Sequence, residues 1–133
     1  MIYTYDDYLP EHQAISFEEC LAIHKAIAEE ISRDAEALEM YDELIERAAD
    51  YAEIRAQWTV RPVEWQMGID DLRTARHDAV IVQLNMLARY LRSQGKSAAW
   101  REALGDENVD RYCRKRIGDF ACFLCYVQGI NGR

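Results

Sequence analysis

Three side chains suited to acid–base chemistry recur at helical spacing in the middle of the chain: Asp70, Arg73 and His77. Spacings of three and four residues place them on one side of a helix, the side that also carries Leu84. A histidine beside an arginine could exchange a proton with a substrate whose negative charge the guanidinium binds. The alternative, which we favour, is a buried polar network that fixes how the helices pack. No Walker loop, nucleophile elbow or HExxH motif accompanies them, so the sequence favours a non-enzymatic role.

A second group of residues has the chemistry of a zinc site. Cys20 and His24 lie one helical turn apart, and so do Cys122 and Cys125. If the two helices touched, these four side chains would form a Cys₃His set. The second pair, however, lies in the apolar run Phe120–Val127, close to a predicted helix C-terminus, where the helix dipole disfavours a thiolate. Core packing is therefore the favoured interpretation, and no cofactor is predicted.

A third group could bind phosphate. Residues 97–117 resemble a helix-turn-helix, although the turn is short and lacks the apolar residue expected after Gly105. The basic cluster that could touch phosphates lies on the last helix and consists of Arg111, Arg114, Lys115 and Arg116. The alternative is a helical hairpin whose basic face pairs with acidic helices. A formal net charge of −8 argues against direct binding of nucleic acid.

Charge is distributed very unevenly along the chain. Residues 1–60 hold 15 acidic and 4 basic side chains, whereas residues 61–133 hold 9 acidic and 12 basic ones. One interpretation is that acidic and basic helices pack side by side. The other is an acidic face that docks on a protein with a basic surface, as an inhibitor or regulator of a nucleic-acid-handling partner would. The candidate docking residues are Glu36, Glu39, Glu43, Glu46 and Asp50.

Helices must position all of these residues, because half of the chain is apolar and no segment keeps a period of two for long. Ser16 and Glu19 form a capping-box pattern that starts the first helix. Ser32–Asp34 is the one plausible break before Trp58, and a single long helix is the alternative. The predicted helices are 17–31, 34–58, 70–94, a short one at 97–104, and 107–128, with Thr59–Gly68 as a connection and Gly95, Gly105 and Gly129 as terminators.

The helix predicted at 70–94 is apolar on two sides. One side carries Val80, Leu84, Leu87, Ala88 and Leu91, and the other carries Ala79, Val82, Met86 and Tyr90. Such a helix is buried on both sides, either as the central helix of a bundle or at a subunit interface, which would imply a homodimer. We favour the central position. The predicted fold is an all-α bundle of four long helices plus one short helix, in one domain spanning 1–133.

The remaining patterns concern location. The longest apolar run without a charge has eight residues, so no membrane span is expected. The first ten residues contain two Asp and no Lys or Arg, which is unlike a signal peptide. Four cysteines in apolar segments are typical of buried thiols in a reducing compartment. The sequence therefore predicts a cytoplasmic protein.

One stretch of the central helix resembles a known family. Arg73–Asp78, Asn85 and Leu87–Leu91 ahead of Gly95 are similar to a small uncharacterised bacterial family of helical proteins of unknown function. The resemblance implies a helical fold, and it carries no activity that could be transferred to this chain.

Overall fold

The computed structural model describes residues 14–58, 62–105 and 110–130, and side chains over 14–55, 62–105 and 116–127. This part of the chain is helical and contains no strand, which confirms the predicted all-α class. Its elements are α1 (Phe17–Ile31), α2 (Ala35–Trp58), α3 (Val63–Ser93), α4 (Trp100–Ala103) and α5 (Asp110–Ile130). Four of the five are long and one is short, as the periodicity predicts.

Local hydrogen bonds and backbone angles set the start of α1 and the connection from α1 to α2. The capping box forms, because the Glu19 amide donates to Ser16 Oγ at 3.1 Å and Glu19 Oε1 accepts from the Ser16 amide at 3.5 Å. Arg33 has φ of 66°, a left-handed conformation that a continuous helix does not contain. Asp34 then caps the N-terminus of α2, since its Oδ1 accepts from the Ala37 amide at 3.1 Å. The structure therefore has two helices here, and the alternative of one long helix is wrong.

The third helix starts earlier than predicted. Pro62 precedes α3, and Gly68 lies inside the helix rather than ending a connection. A Cβ at Gly68 would have no atom within 4 Å, so close packing does not require a glycine at this point of the helix. The other end agrees with the prediction: the Lys96 amide donates to the Leu91 carbonyl at 2.9 Å around Gly95, whose φ is 85°. This is a Schellman termination, which requires a left-handed residue at that point.

The last two elements differ in detail from their predictions. Ser97 does not cap α4 directly, because the helix begins after Ala99 and Ser97 Oγ accepts from the Ala99 amide at 3.3 Å. Helix α5 continues through Gly129 to Ile130, so that glycine does not end it. Asp106, which the sequence offers as a cap for the helix predicted at 107–128, lies outside the described residues.

Helix α2 holds the fold together by packing on both α3 and α5. Helices α2 and α3 run antiparallel. Their register is fixed by three hydrogen bonds: Tyr90 Oη to both Asp34 carboxylate oxygens at 2.9 Å, Gln83 Nε2 to the Met40 carbonyl at 3.0 Å, and Arg76 Nη1 to the Asp50 carbonyl at 3.1 Å. The buried face of α2 includes Leu44, whereas Leu38, which the periodicity places in the apolar stripe, is 46% exposed.

The two sides of α3 have different environments. The predicted inner face is fully buried: Val80, Leu84, Leu87, Ala88 and Leu91. On the other side, Val82 is 57% exposed and Met86 is 44% exposed. Within a single chain, α3 is therefore buried on one side and open on the other, and the expectation of burial on both sides is not met by these residues.

Candidate interaction surface

A row of carboxylates follows the outer side of α2. We call it the acidic row, and it consists of Glu36, Glu39, Glu43, Glu46 and Asp50. Its spacings of three, four, three and four residues keep the side chains on one helical face. All are exposed except Glu43, which is half-buried and pairs with Arg47 at 2.5 Å. The residues singled out by the charge pattern thus form one continuous surface.

A row of apolar side chains follows the outer side of α3. We call it the apolar seam, and it consists of Leu72, Ala75, Ala79, Val82 and Met86. Its spacings are again three, four, three and four, which is the pattern of a coiled-coil contact line. Leu72 is 46% exposed, and Ala79 is half-buried. The seam is about 21 Å long at 1.5 Å per residue.

The acidic row and the apolar seam lie side by side. Arg76, Gln83 and Tyr90 form the line along which α3 contacts α2 and its first residues. Each of the three lies four residues after a residue of the seam. At 100° per residue, the seam is the next face of α3 outward from this contact line. On α2, Glu43 and Asp50 occupy the corresponding outward face. The surface therefore combines apolar side chains with a carboxylate border.

A buried polar cluster joins α2 to α5 on the inner side. Arg55 Nη2 donates to Asp119 Oδ1 at 2.6 Å, and Asp119 is fully buried. The other Asp119 oxygen accepts from the Ala14 amide at 2.8 Å. Gly118 allows this close approach, because a Cβ there would come within 2.9 Å of Tyr51 Oη. The cluster is a structural tie between chain segments that are far apart in sequence.

The candidate acid–base residues are only partly brought together. Asp70 and Arg73 form an ion pair of 3.1 Å, but the Asp70 side chain is 54% exposed. His77 is buried and packs edge-on against the Tyr51 ring, with centroids 5.0 Å apart. The expectation that Asp70 faces the core is wrong, because its carboxylate is exposed to water while it pairs with Arg73. The arrangement of His77 fits packing better than proton transfer.

The candidate zinc ligands do not form a site. Over the described residues, no three Cys, His, Asp or Glu side chains are placed to share a metal ion. His24 Nδ1 bonds to Tyr41 Oη at 2.5 Å, and the Phe123 ring packs against the His24 ring at 6.2 Å. Burial raises the pKa of the Cys122 thiol to about 12, which disfavours the thiolate that zinc binds. Cys20 is likewise buried in the core, and Cys125 is partly buried beside it.

In the basic cluster of the helix-turn-helix-like segment, Arg116 is the one residue whose side chain the structure describes. Its guanidinium donates to the Ala14 carbonyl and the Ala103 carbonyl, both at 2.8 Å, and to Glu19 Oε2 at 2.9 Å. The Arg116 guanidinium holds the pKa of Glu19 below its usual value. The side chains of Arg111, Arg114 and Lys115 lie outside the described residues. The Arg116 guanidinium therefore ties α5 to the start of α1 and to the end of α4.

Several structural residues escape detection by the sequence patterns. Asp119 stands alone among apolar neighbours of α5, and that isolation is the one available signal of a buried charge. Glu30 belongs to the acidic part of α1, yet it accepts from Trp100 Nε1 at 2.7 Å and from the Ala98 amide at 3.1 Å. Arg101 is 1% exposed and donates to Asn85 Oδ1 at 2.7 Å. Such residues look like ordinary surface charges in the sequence.

Comparison with known families, with curated proteins and with solved structures finds no match for this chain. None of the helices over the described residues combines the length and apolar character needed to cross a bilayer. The surface formed by α2 and α3 is therefore the feature of the molecule from which a function is inferred.

Proposed function

We propose that this protein is an interaction module whose acidic row docks on a basic surface of a protein partner. The acidic row carries the proposal: five carboxylates line one outer face of a helix of 24 residues. Helix α2 contains seven acidic residues and two arginines, so the local field is strongly negative. A partner that handles nucleic acid supplies the matching surface, because such proteins concentrate Lys and Arg where phosphates bind. Docking there would inhibit or regulate the partner.

The fold depends little on the acidic row, although Glu36 of the row lies against the Tyr90 hydroxyl of α3. The inner face of α2 holds the helix in place through Leu44, Tyr51 and Arg55, which pack toward the core. By contrast, Glu30 and Asp34 accept structural hydrogen bonds from α3 or the segment after it. An exposed row of like charges is slightly unfavourable to its own helix, so binding a basic partner would relieve that repulsion.

Two further features complete the proposal. The four long helices form a bundle in one domain, in which α2 packs against both α3 and α5. The working compartment is the cytoplasm, since the described cysteines Cys20 and Cys122 are buried thiols in apolar surroundings.

The test compares two quadruple variants with equal changes in charge. The first replaces Glu39, Glu43, Glu46 and Asp50 with Lys. The control replaces the exposed residues Glu18, Glu29, Glu64 and Glu102, which lie off the row, with Lys. Proteins captured from lysate by the wild type and eluted with salt are identified, and the strongest is purified. Its affinity for each variant is then measured by titration calorimetry at physiological salt.

We expect the row variant to lose binding by a factor of about 100 or more and the control to retain most of it. Far-UV circular dichroism should show helical spectra for both variants, because all eight positions lie at the surface. Equal loss in the two variants would mean that net charge alone matters, and retained binding in the row variant would exclude the acidic row. Either result overturns the proposed function.

A further inference from the structure

The apolar seam of α3 has no role in the core of this chain. Val82 and Met86 are 57% and 44% exposed, while the opposite side of the same helix turns is fully buried. Leu72, ten residues before Val82, extends this exposed line toward the N-terminus of α3. An ordinary surface helix places polar residues on its outward face. Apolar residues at spacings of three and four on that face are instead the pattern that receives another helix.

Carboxylates border the seam on both sides. Arg76 of α3 donates to the backbone carbonyl of Asp50, which brings this part of α2 beside the seam. At 100° per residue, the side chains of Glu43 and Asp50 then lie on the outward face of α2 along that edge. Asp71 and Asp78 are seven residues apart on α3, and at 100° per residue they lie along the other edge. The surface is thus an apolar line of about 21 Å between two acidic edges.

An apolar line between two acidic edges favours one kind of covering element over the others. A second copy of the chain would bring its own acidic row against these carboxylates, and the formal charge of each copy is −8. A flat basic surface would satisfy the edges but leave the apolar line in water. A helix with apolar residues at spacings of three and four, flanked by Lys or Arg, matches both features.

We infer that the partner element is a basic amphipathic helix of about four turns, which lies along the seam with its cationic flanks on the two acidic edges. This inference rests on the proposed function, because the acidic row supplies one of the two edges. It adds the conformation of the bound element and the residues that read its apolar face. Leu72, Val82 and Met86 take its apolar side chains, and the exposed carboxylates Asp50 and Asp71 take its cations.

The probe is a synthetic lysine–leucine peptide of about 18 residues with Leu at spacings of three and four and Lys elsewhere. Its control is a peptide of the same composition in which the Leu residues alternate, so that no helical face is apolar. Fluorescence anisotropy of labelled peptides measures affinity, and difference circular dichroism measures helix formed on binding. We expect the first peptide to bind, to gain helix, and to exceed the control by at least about tenfold.

The protein offers a closely matched pair of variants. Val82→Ser with Met86→Ser removes the centre of the seam. Val63→Ser with Met67→Ser removes the same residue types from α3 off the seam, where they are 65% and 75% exposed. We expect the first variant to weaken peptide binding at least about tenfold and the second to change it less than about twofold. Val82→Leu should strengthen binding, which keeps the test valid if the double variant is unstable.

The outcomes separate this inference from the proposed function. Equal effects of the two serine variants, or equal binding of the two peptides, overturn the helix inference. If the acidic-row variant loses the peptide while the seam variant keeps it, the helix inference is wrong and the proposed function stands. Loss in the seam variant alone supports the seam and counts against the acidic row. A sedimentation mass of two copies that Val82→Ser with Met86→Ser returns to one would show that a second copy covers the seam, and would overturn the inference.

Discussion

The inner and outer sides of α2 carry the same kinds of charge in opposite environments. On the inner side, Arg55 meets the fully buried Asp119 at 2.6 Å, and that carboxylate also accepts from the Ala14 amide. On the outer side, the acidic row lies in water, and its Glu43 forms a surface pair with Arg47. A buried pair that loses one member leaves an uncompensated charge, whereas an exposed pair contributes little. The comparison separates charge that maintains the fold from charge that is free to act on a partner.

The largest expected effect is at the buried pair. Asp119→Ala should lower the free energy of unfolding by about 3–5 kcal/mol, because the Arg55 guanidinium stays buried without its carboxylate. Urea unfolding followed by circular dichroism measures the change. The double variant Arg55→Met with Asp119→Leu is the control and should lose less, since no charge remains buried. A loss below about 1 kcal/mol for Asp119→Ala would contradict a structural role for the pair.

The two sides of α3 allow a second comparison of inner and outer positions. Leu84→Ala should cost about 2–5 kcal/mol, because it opens a cavity in a fully buried layer. Val82→Ala, on the exposed side two residues away, should change stability by less than about 0.5 kcal/mol. Thermal and urea unfolding of the two variants give both values. Similar losses would show that the outer side of α3 is covered in solution.

A smaller effect is expected at His77. His77→Gln removes the edge-on contact with the Tyr51 ring and should cost about 1.5 kcal/mol. His77→Phe keeps a ring at that position and should recover part of the loss. Both variants should bind the lysine–leucine peptide as the wild type does. An unchanged melting temperature together with altered binding would instead indicate that His77 belongs to a functional site.

The pH dependence of stability tests His24, a half-buried group whose neutral form the fold favours. Burial lowers the pKa of His24 below its ordinary value of 6.5, and its Nδ1 bonds to Tyr41 Oη. The unfolded chain therefore binds a proton at a higher pH than the folded one, so stability is complete above the ordinary pKa and falls as the pH falls through it. Unfolding from about pH 7.5 to about pH 5.5 should show a steeper loss for the wild type than for His24→Gln. Parallel curves would exclude His24 as the source.

The smallest effect on stability is expected at the acidic row. Replacing Glu39, Glu43, Glu46 and Asp50 with Lys should change the free energy of unfolding by less than about 1 kcal/mol, because these charges are screened by water. The variant's melting temperature, read beside that of Asp119→Ala, measures the contrast directly. A loss as large as that of Asp119→Ala would mean that the row takes part in the fold and would remove the comparison.

The amino-acid sequence alone determines the features that depend on neighbours within one helical turn. Ser16 and Glu19 form the predicted capping box, and Gly95 ends α3. The sequence also locates the break at Ser32–Asp34, although it leaves one long helix open as the alternative. Each depends on hydrogen bonds or backbone angles spanning a few residues, so the local pattern contains the necessary information.

Tertiary structure decides which charges are buried and which faces meet. Arg55 and Asp119 are 64 residues apart. The apolar neighbours of Asp119 indicate a buried charge, but no local pattern identifies Arg55 as its partner. Leu44 rather than Leu38 faces the core because α3 and α5 flank α2 at a particular angle, which the period of a helix does not specify. The acidic row and the apolar seam are each readable as helical patterns, but their shared surface exists only because α2 and α3 pack antiparallel in one register. Contacts between distant segments set that register: Arg76 and Gln83 of α3 bond to backbone carbonyls of α2, and Tyr90 bonds to Asp34 at its start.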